Sequence, residues 1–194
     1  MTQDSLRLQK AALRKTMRAT LKEISPEERA RQSALACERL CSLPEFEAAG
    51  LILAYMAMAH ECSPAPAVAQ AQRLGKRVAF PLCGADYALR LLVPKEPDAF
   101  YRGAYGILEP MPEKCEEVGP QELDFIILPG LAFDPACNRL GQGAGYYDRL
   151  VPQTSAFLAG LCLDSQLVEA VPTGGLDVPL HAVAAPGGLY RRPC

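Results

Sequence analysis

Leu6, Leu13, Met17, Leu21 and Ile24 recur at helical spacing through an otherwise polar stretch, which predicts an amphipathic helix over residues 4–24. A second helix is expected from Ser25-Pro26-Glu27-Glu28, with Ser25 as cap, Pro26 in the first helical position and Glu28 completing a capping box. It should run to about Ser42, where Leu43-Pro44 ends it. The pattern then shortens. LILAYMA, Leu51 to Ala57, is a compact apolar run after Gly50 and predicts a buried strand. PAPAVAQAQRLG predicts a helix closed by Gly75. RVAFPL and the alternating YALRLLV predict two further strands. Residues 94–122, rich in Pro, Gly and Glu, read as one long irregular loop of functional character. DFIILPG, Asp124 to Gly130, is the cleanest buried strand. A helix is expected from about Gly145, then a strand at FLAGLCL, a short helix at SQLVEAV and a last short strand at HAVAA.

Strands alternating with helices define an α/β protein: a three-layer α/β/α sandwich with a mostly parallel central sheet and helices on both faces. With no repeat or linker, residues 1–194 are expected to form one domain. Ligands of such sheets bind beyond the carboxyl ends of the strands, so the segment after DFIILPG is placed to make a site.

Composition narrows the function classes. A formal charge of −2 speaks against a general nucleic-acid binder. No apolar run is long enough to span a bilayer, and the polar start MTQDSLRLQK is not a secretory signal. A cytoplasmic protein, monomeric or weakly dimeric, is the expectation. The eight cysteines (37, 41, 62, 83, 115, 137, 162 and 194) show neither CxxC pairing nor zinc spacing and read as reduced thiols used as small core hydrophobes.

The chemistry concentrates in RLGQGAGYYDRL, Arg139 to Leu150. Glycines alternating at 141, 143 and 145 let successive backbone N–H groups turn toward one anion. Arg139 adds a planar, permanently charged donor fork, and Asp148 a hard oxygen of the kind Mg²⁺ takes. The stretch is neither a Walker A loop nor a dinucleotide fingerprint. On the first helix, Lys10, Arg14 and Arg18 form a basic stripe. Lys10 and Arg14 are candidate phosphate ligands in combination with the glycines, and Arg18 reads as a solvated helix face. Glu61 reads as a surface glutamate, with ligand N–H groups as its other use. His60 should be exposed and His181 structural. No Ser/His/Asp or Cys/His set supports nucleophilic catalysis.

LPGLAFDPACNRLGQGAGYYDRL, Leu128 to Leu150, closely resembles the signature of the 5-formyltetrahydrofolate cyclo-ligases, also called methenyltetrahydrofolate synthetases. The resemblance extends to KxxLR at Lys10 to Arg14, Tyr55 to Glu61, Phe80-Pro81, GILEP at Gly106 to Pro110, and Asp177. It implies an α/β/α fold and an ATP-dependent ring closure of 5-formyltetrahydrofolate to 5,10-methenyltetrahydrofolate, with ADP and phosphate released. It implies that Lys10, Arg14, Arg139, Leu140, Gly141, Gln142, Gly143, Ala144, Gly145, Tyr146 and Tyr147 hold ATP. Asp148 and Asp177 would contact Mg²⁺ directly or through water. Met56, Glu61, Gly143 and Tyr146 would meet the reduced folate, with Arg139 and Tyr146 at the reacting centre. The chain departs from the family pattern at Gln142, commonly aromatic or basic, at TGGLD, the approach that ends in Asp177, and at Ala185, often threonine. Phosphoryl transfer to another small acid, and a non-catalytic folate binder, are the competing readings.

Overall fold

Ser25 caps the second helix as its position predicts, its Oγ accepting from the Glu28 N–H at 3.2 Å. The reciprocal half of the box is replaced: the Glu28 carboxylate accepts from Arg31 and Gln32 on the next turn. This computed structural model describes residues 3–84, 88–103, 106–175 and 177–193. Tyr87 at the start of the expected YALRLLV strand, positions 104 and 105 of the expected loop, Leu176 of TGGLD, and Cys194 lie outside the described residues.

The helices are α1 (Gln3–Lys22), α2 (Pro26–Cys41), α3 (Pro44–Ala48), α4 (Ala65–Arg73) and α5 (Tyr146–Leu150). The strands are β1 (Leu51–Leu53), β2 (Arg77–Cys83), β3 (Leu89–Pro94), β4 (Phe100–Arg102), β5 (Leu108–Pro110), β6 (Cys115–Val118), β7 (Phe125–Leu128), β8 (Ala132–Phe133), β9 (Arg139–Leu140), β10 (Phe157–Leu161), β11 (Ala182–Ala185) and β12 (Gly188–Arg191). The main sheet runs β12-β11-β10-β7-β1-β2-β3-β6. Its centre, β2-β1-β7-β10-β11, is parallel, and β12, β3 and β6 add antiparallel edges. From β1 the chain moves to β2 on one side and later returns to β7 on the other. The gap between β1 and β7 is therefore a topological switch point, where open α/β sheets bind ligands. The Asp124 carboxylate fixes that junction by accepting from the N–H groups of Gly50 and Leu51, both at 2.8 Å.

The two faces differ. On one, Met17 and Leu21 of α1, Leu40 of α2, Phe46 of α3 and Ala67 and Ala71 of α4 pack on Ile52, Phe125, Ile127 and Ala159. On the other, Leu53, Ile126, Leu128 and Val183 meet Phe133, Leu150, Val151 and Leu180. The third layer is thus thin, made of α5, a 3₁₀ turn at Val151–Gln153 and the β8–β9 hairpin. Phe133 fills it. Cβ atoms built on Gly130 and Gly160 would come within 2.6 and 2.5 Å of its ring, so both positions need glycine for this close approach.

Several expected elements change. The first strand stops at Leu53 rather than Ala57, because the chain turns there to deliver Tyr55 to Glu61 to the sheet end. Residues 94–122 are not one irregular loop: they hold the β4–β5 hairpin and the edge strand β6. In place of the SQLVEAV helix there is a 3₁₀ turn at Asp164–Gln166, after which Leu167 bridges to Phe133. Burial pushes the Cys37 and Cys62 thiols up to about 12, which keeps them protonated as core groups, whereas Cys83 is exposed, against expectation. His181 is structural, its Nδ1 accepting from the Leu158 N–H at 2.8 Å.

Candidate active site

Beyond the carboxyl ends of β1, β2 and β7 lies a cavity walled by Tyr55, Met56 and Glu61, by Pro81 and Cys83, and by Pro129 and Gly130. The Gly141–Asp148 loop and the 107–109 segment enclose it from the other sides. Most of its wall is apolar, so the few polar groups in it are the ones that can orient a ligand.

Arg139 enters from the two-residue strand β9. The turn before it is braced by Asp134, only 2% exposed, which accepts from the N–H of Asn138, from Asn138 Nδ2 and from the N–H of Val171. The aspartate of the FDPACNRLG stretch thus braces the turn that leads into Arg139. Gln166 braces the other wall, donating from Nε2 to the Gly130 carbonyl at 2.6 Å. Its role could not be read from the sequence, where it is one glutamine in an apolar stretch. The Arg139 guanidinium donates to the Pro129 carbonyl at 3.1 Å and to Asp148 Oδ1 at 2.6 Å, and lies 5.8 Å from the centre of the Tyr147 ring. Burial lowers its affinity for the proton, but Asp148 opposes this and an arginine retains its charge. The result is a desolvated cation whose strongest partner, Asp148, is 66% exposed and can be drawn away.

The glycine loop folds back over Arg139. Gly143 and Gly145 have φ of 107° and 78°, which side-chain-bearing residues rarely adopt. Arg14 donates from Nε to the Gly141 carbonyl at 2.9 Å and lies alongside Gly143, so it supports the loop from α1. Lys10, one turn earlier, donates to both oxygens of Asp177 at 2.5 and 2.6 Å, and Asp177 also accepts from the Gly174 N–H at 2.7 Å. Residues from both ends of the chain thus meet beside the loop.

The structure therefore gathers Arg139, Gly141 to Asp148, Met56 and Glu61 around one cavity. Arg14 stands behind the loop, and Lys10 and Asp177 sit outside the cavity wall as an ion pair. Leu140 is 1% exposed and turned into the core. Only its backbone takes part, pairing β9 with β8. Two expectations fail. Glu61 is not a surface glutamate: it is 8% exposed, and burial raises its pKa while hydrogen bonds from the Met58 N–H and Gln142 oppose the rise. Arg18 is not merely solvated, since it reaches Gln142. Cys83, Leu89 and residues 107–109 also line the cavity although no site role was expected of them. The only signal for the last was the GILEP motif.

Mg²⁺ accepts one or two carboxylates together with substrate phosphates. Asp148 fits that donor set, exposed at the cavity rim. Asp177 fits it less well, because Lys10 and Gly174 already take both of its oxygens. Among the described residues no group of three or more His, Cys, Asp or Glu side chains could hold a metal by itself.

Fold and site together define an α/β protein with a cationic, glycine-lined cavity at its sheet switch point. The sequence matches the profile of the 5-formyltetrahydrofolate cyclo-ligase family over residues 7–186, and the chain belongs to that family of enzymes. It is 31% identical over 193 residues to a probable 5-formyltetrahydrofolate cyclo-ligase of Caenorhabditis elegans, covering 92% of this chain and 93% of the relative. It is 28% identical over 180 residues to the 5-formyltetrahydrofolate cyclo-ligase of Escherichia coli K12, covering 90% and 99%. The NMR structure of Aquifex aeolicus 5,10-methenyltetrahydrofolate synthetase superposes with a TM-score of 0.82 at 31% identity, over 94% of this chain and 92% of that one. A Mycoplasma pneumoniae 5,10-methenyltetrahydrofolate synthetase shares the fold, with a TM-score of 0.73 at 19% identity over 91% and 98%. No helix among the described residues is long and apolar enough to cross a membrane.

Proposed function

We propose that this enzyme uses ATP to close 5-formyltetrahydrofolate to 5,10-methenyltetrahydrofolate. A formyl oxygen is a poor leaving group until it carries a phosphoryl group. ATP transfers its terminal phosphoryl group to that oxygen, the folate nitrogen at position 10 attacks the activated carbon and loses its proton, and phosphate departs. ADP and phosphate are the other products.

The chain's own residues align the reactants and stabilise charge. Arg139 faces the phosphoryl group in transit, where a desolvated guanidinium acts on developing negative charge far more strongly than one in water. Backbone N–H groups of Gly141 to Tyr147 cradle the phosphates, with Arg14 holding the loop and Lys10 adding positive charge beside it. Tyr146 closes the pocket over the reacting atoms. Met56 and Glu61 take the folate, whose ring N–H groups suit a buried carboxylate. Asp148 would hold Mg²⁺, which supplies charge neutralisation at the phosphates. Asp177 serves chiefly to set Lys10. In this reading residues 1–194 act as one domain.

The observation that carries the reading is Arg139: a guanidinium with 10% of its side chain exposed, at the sheet's ligand-binding end and across an apolar cavity from a buried carboxylate. Incubating the protein with 5-formyltetrahydrofolate and Mg-ATP should produce the absorbance of methenyltetrahydrofolate and one ADP per product. No absorbance change from well-folded protein would sink the proposal, and ADP release without folate product would point to another phosphoryl acceptor.

A further inference from the structure

Arg18 lies outside the residues just assigned, yet it makes more polar contacts with the glycine loop than Arg14 does. From the exposed side of α1 its Nη2 donates to the Gln142 backbone carbonyl at 3.1 Å and to Gln142 Oε1 at 3.2 Å, and its Nε donates to Oε1 at 3.4 Å. A guanidinium can only donate, so it fixes which end of the Gln142 carboxamide faces it: the oxygen. The amide nitrogen must then face the opposite way. It does, with Nε2 pointing to Glu61 Oε1 at 3.5 Å, the outer limit of a hydrogen bond. The other Glu61 oxygen, Oε2, accepts from the Met58 N–H at 3.0 Å. Among the described residues no lysine or arginine forms an ion pair with Glu61. Its orientation therefore rests on one backbone N–H and on an amide whose rotation is set from α1.

We infer that Arg18 is a positioning residue for the folate end of the site, acting through Gln142 to orient Glu61. Gln142 then serves the Glu61 carboxylate more than the nucleotide. This inference rests on the proposed reading only for the identity of the ligand at Glu61. The arrangement also accounts for a glutamine at this position of the loop. An aromatic residue there could not relay a hydrogen bond, and a basic one would repel Arg18.

The test is direct calorimetric binding of 5-formyltetrahydrofolate to the full chain, with steady-state turnover measured in parallel. Arg18→Met and Gln142→Leu should each weaken folate binding about three- to tenfold, the range of one modest hydrogen bond. KM for ATP should stay within about twofold in both. The double variant should bind no worse than Gln142→Leu alone, because the two residues act in series. In a Glu61→Gln background, Arg18→Met should have no further effect. Additive losses in the double variant would overturn the inference. So would Arg18→Met variants in which KM for ATP rises while folate affinity holds, since that makes Arg18 a phosphate ligand. Absence of turnover in the parent counts against the proposed reaction, and the binding comparison still decides the role of Arg18.

Discussion

Replacing Arg139 with alanine separates the energetics of the fold from those of the reaction. In the resting protein the side chain donates to the Pro129 carbonyl, pairs with Asp148 and packs against Tyr147. The first bond contributes about 1 kcal/mol net. The ion pair contributes at most about 1 kcal/mol, because its carboxylate side is 66% exposed and screened by water. The ring contact adds about 0.5–1 kcal/mol. Against these stands the cost of keeping a guanidinium 10% exposed, which the variant no longer bears. The balance is a loss of about 1–2 kcal/mol, which a domain with about 5–15 kcal/mol of stability survives. In the proposed transition state the same cation would meet a phosphoryl group in a water-poor cavity, where one donor is worth about 3–4 kcal/mol, or 10²–10³ in rate. Arg139→Ala should therefore unfold at slightly lower urea concentration while its kcat falls at least about a hundredfold. Arg139→Lys keeps the charge without the planar fork and should fall between. The assay is product absorbance at saturating ATP and folate, beside urea unfolding of the same preparations. A folded Arg139→Ala enzyme with kcat within about fivefold of the parent would refute the electrostatic role, since that leaves less than about 1 kcal/mol for it.

Three further outcomes follow from named contacts. Burial raises the pKa of Glu61, so folate binding should weaken as pH falls through that raised value, and Glu61→Gln should bind weakly with no such dependence. The sign for stability is opposite: the folded state holds this proton more tightly than the unfolded one, so Glu61 costs stability as pH rises from its unfolded to its folded pKa. Glu61→Gln should accordingly raise Tm at neutral pH, and the gain should vanish in acid; a gain independent of pH would reject buried ionisation as its cause. Gly160→Ala places a Cβ 2.5 Å from the Phe133 ring and should cost about 1–3 kcal/mol in urea unfolding, with Phe133→Leu restoring part of it; strictly additive losses would mean that ring and methyl do not compete. Asp148→Asn should shift the Mg²⁺ titration of activity to higher concentration, and an unchanged titration removes Asp148 as the metal contact.

The sequence made some of this architecture legible and hid the rest for identifiable reasons. α1, α2 and α4 announce themselves because each buries one stripe against the sheet, and β7 does so because all four of its residues are buried. β6 does not, because Cys115 and Val118 are its only inward residues. The two glutamates between them serve instead as charged edge positions, Glu116 pairing with Arg77 and Glu117 with Arg90. The hairpins β4–β5 and β8–β9 are too short to show a period. At the site, Arg139 and the glycines were legible because their chemistry is local. Glu61 and Arg18 were not: a lone glutamate says nothing about its own burial, and helix spacing cannot show that a loop more than a hundred residues later returns to meet Arg18. The Lys10–Asp177 pair was hidden for the same reason, since Lys10 comes from the far end of the chain to meet Asp177.

That Lys10–Asp177 pair spans 167 positions. Closing a free loop of that length costs about 4–5 kcal/mol in chain entropy, several times what one part-exposed ion pair returns. The pair cannot hold the chain ends together. It exists only after the sheet has brought α1 and the segment before β11 side by side. A partly folded molecule therefore lacks this pair, and with it part of the phosphate site proposed above, however native its individual helices are. Two consequences follow for measurement: catalytic titration counts fully folded molecules, and nucleotide should raise the free energy of global unfolding while leaving local fraying unchanged.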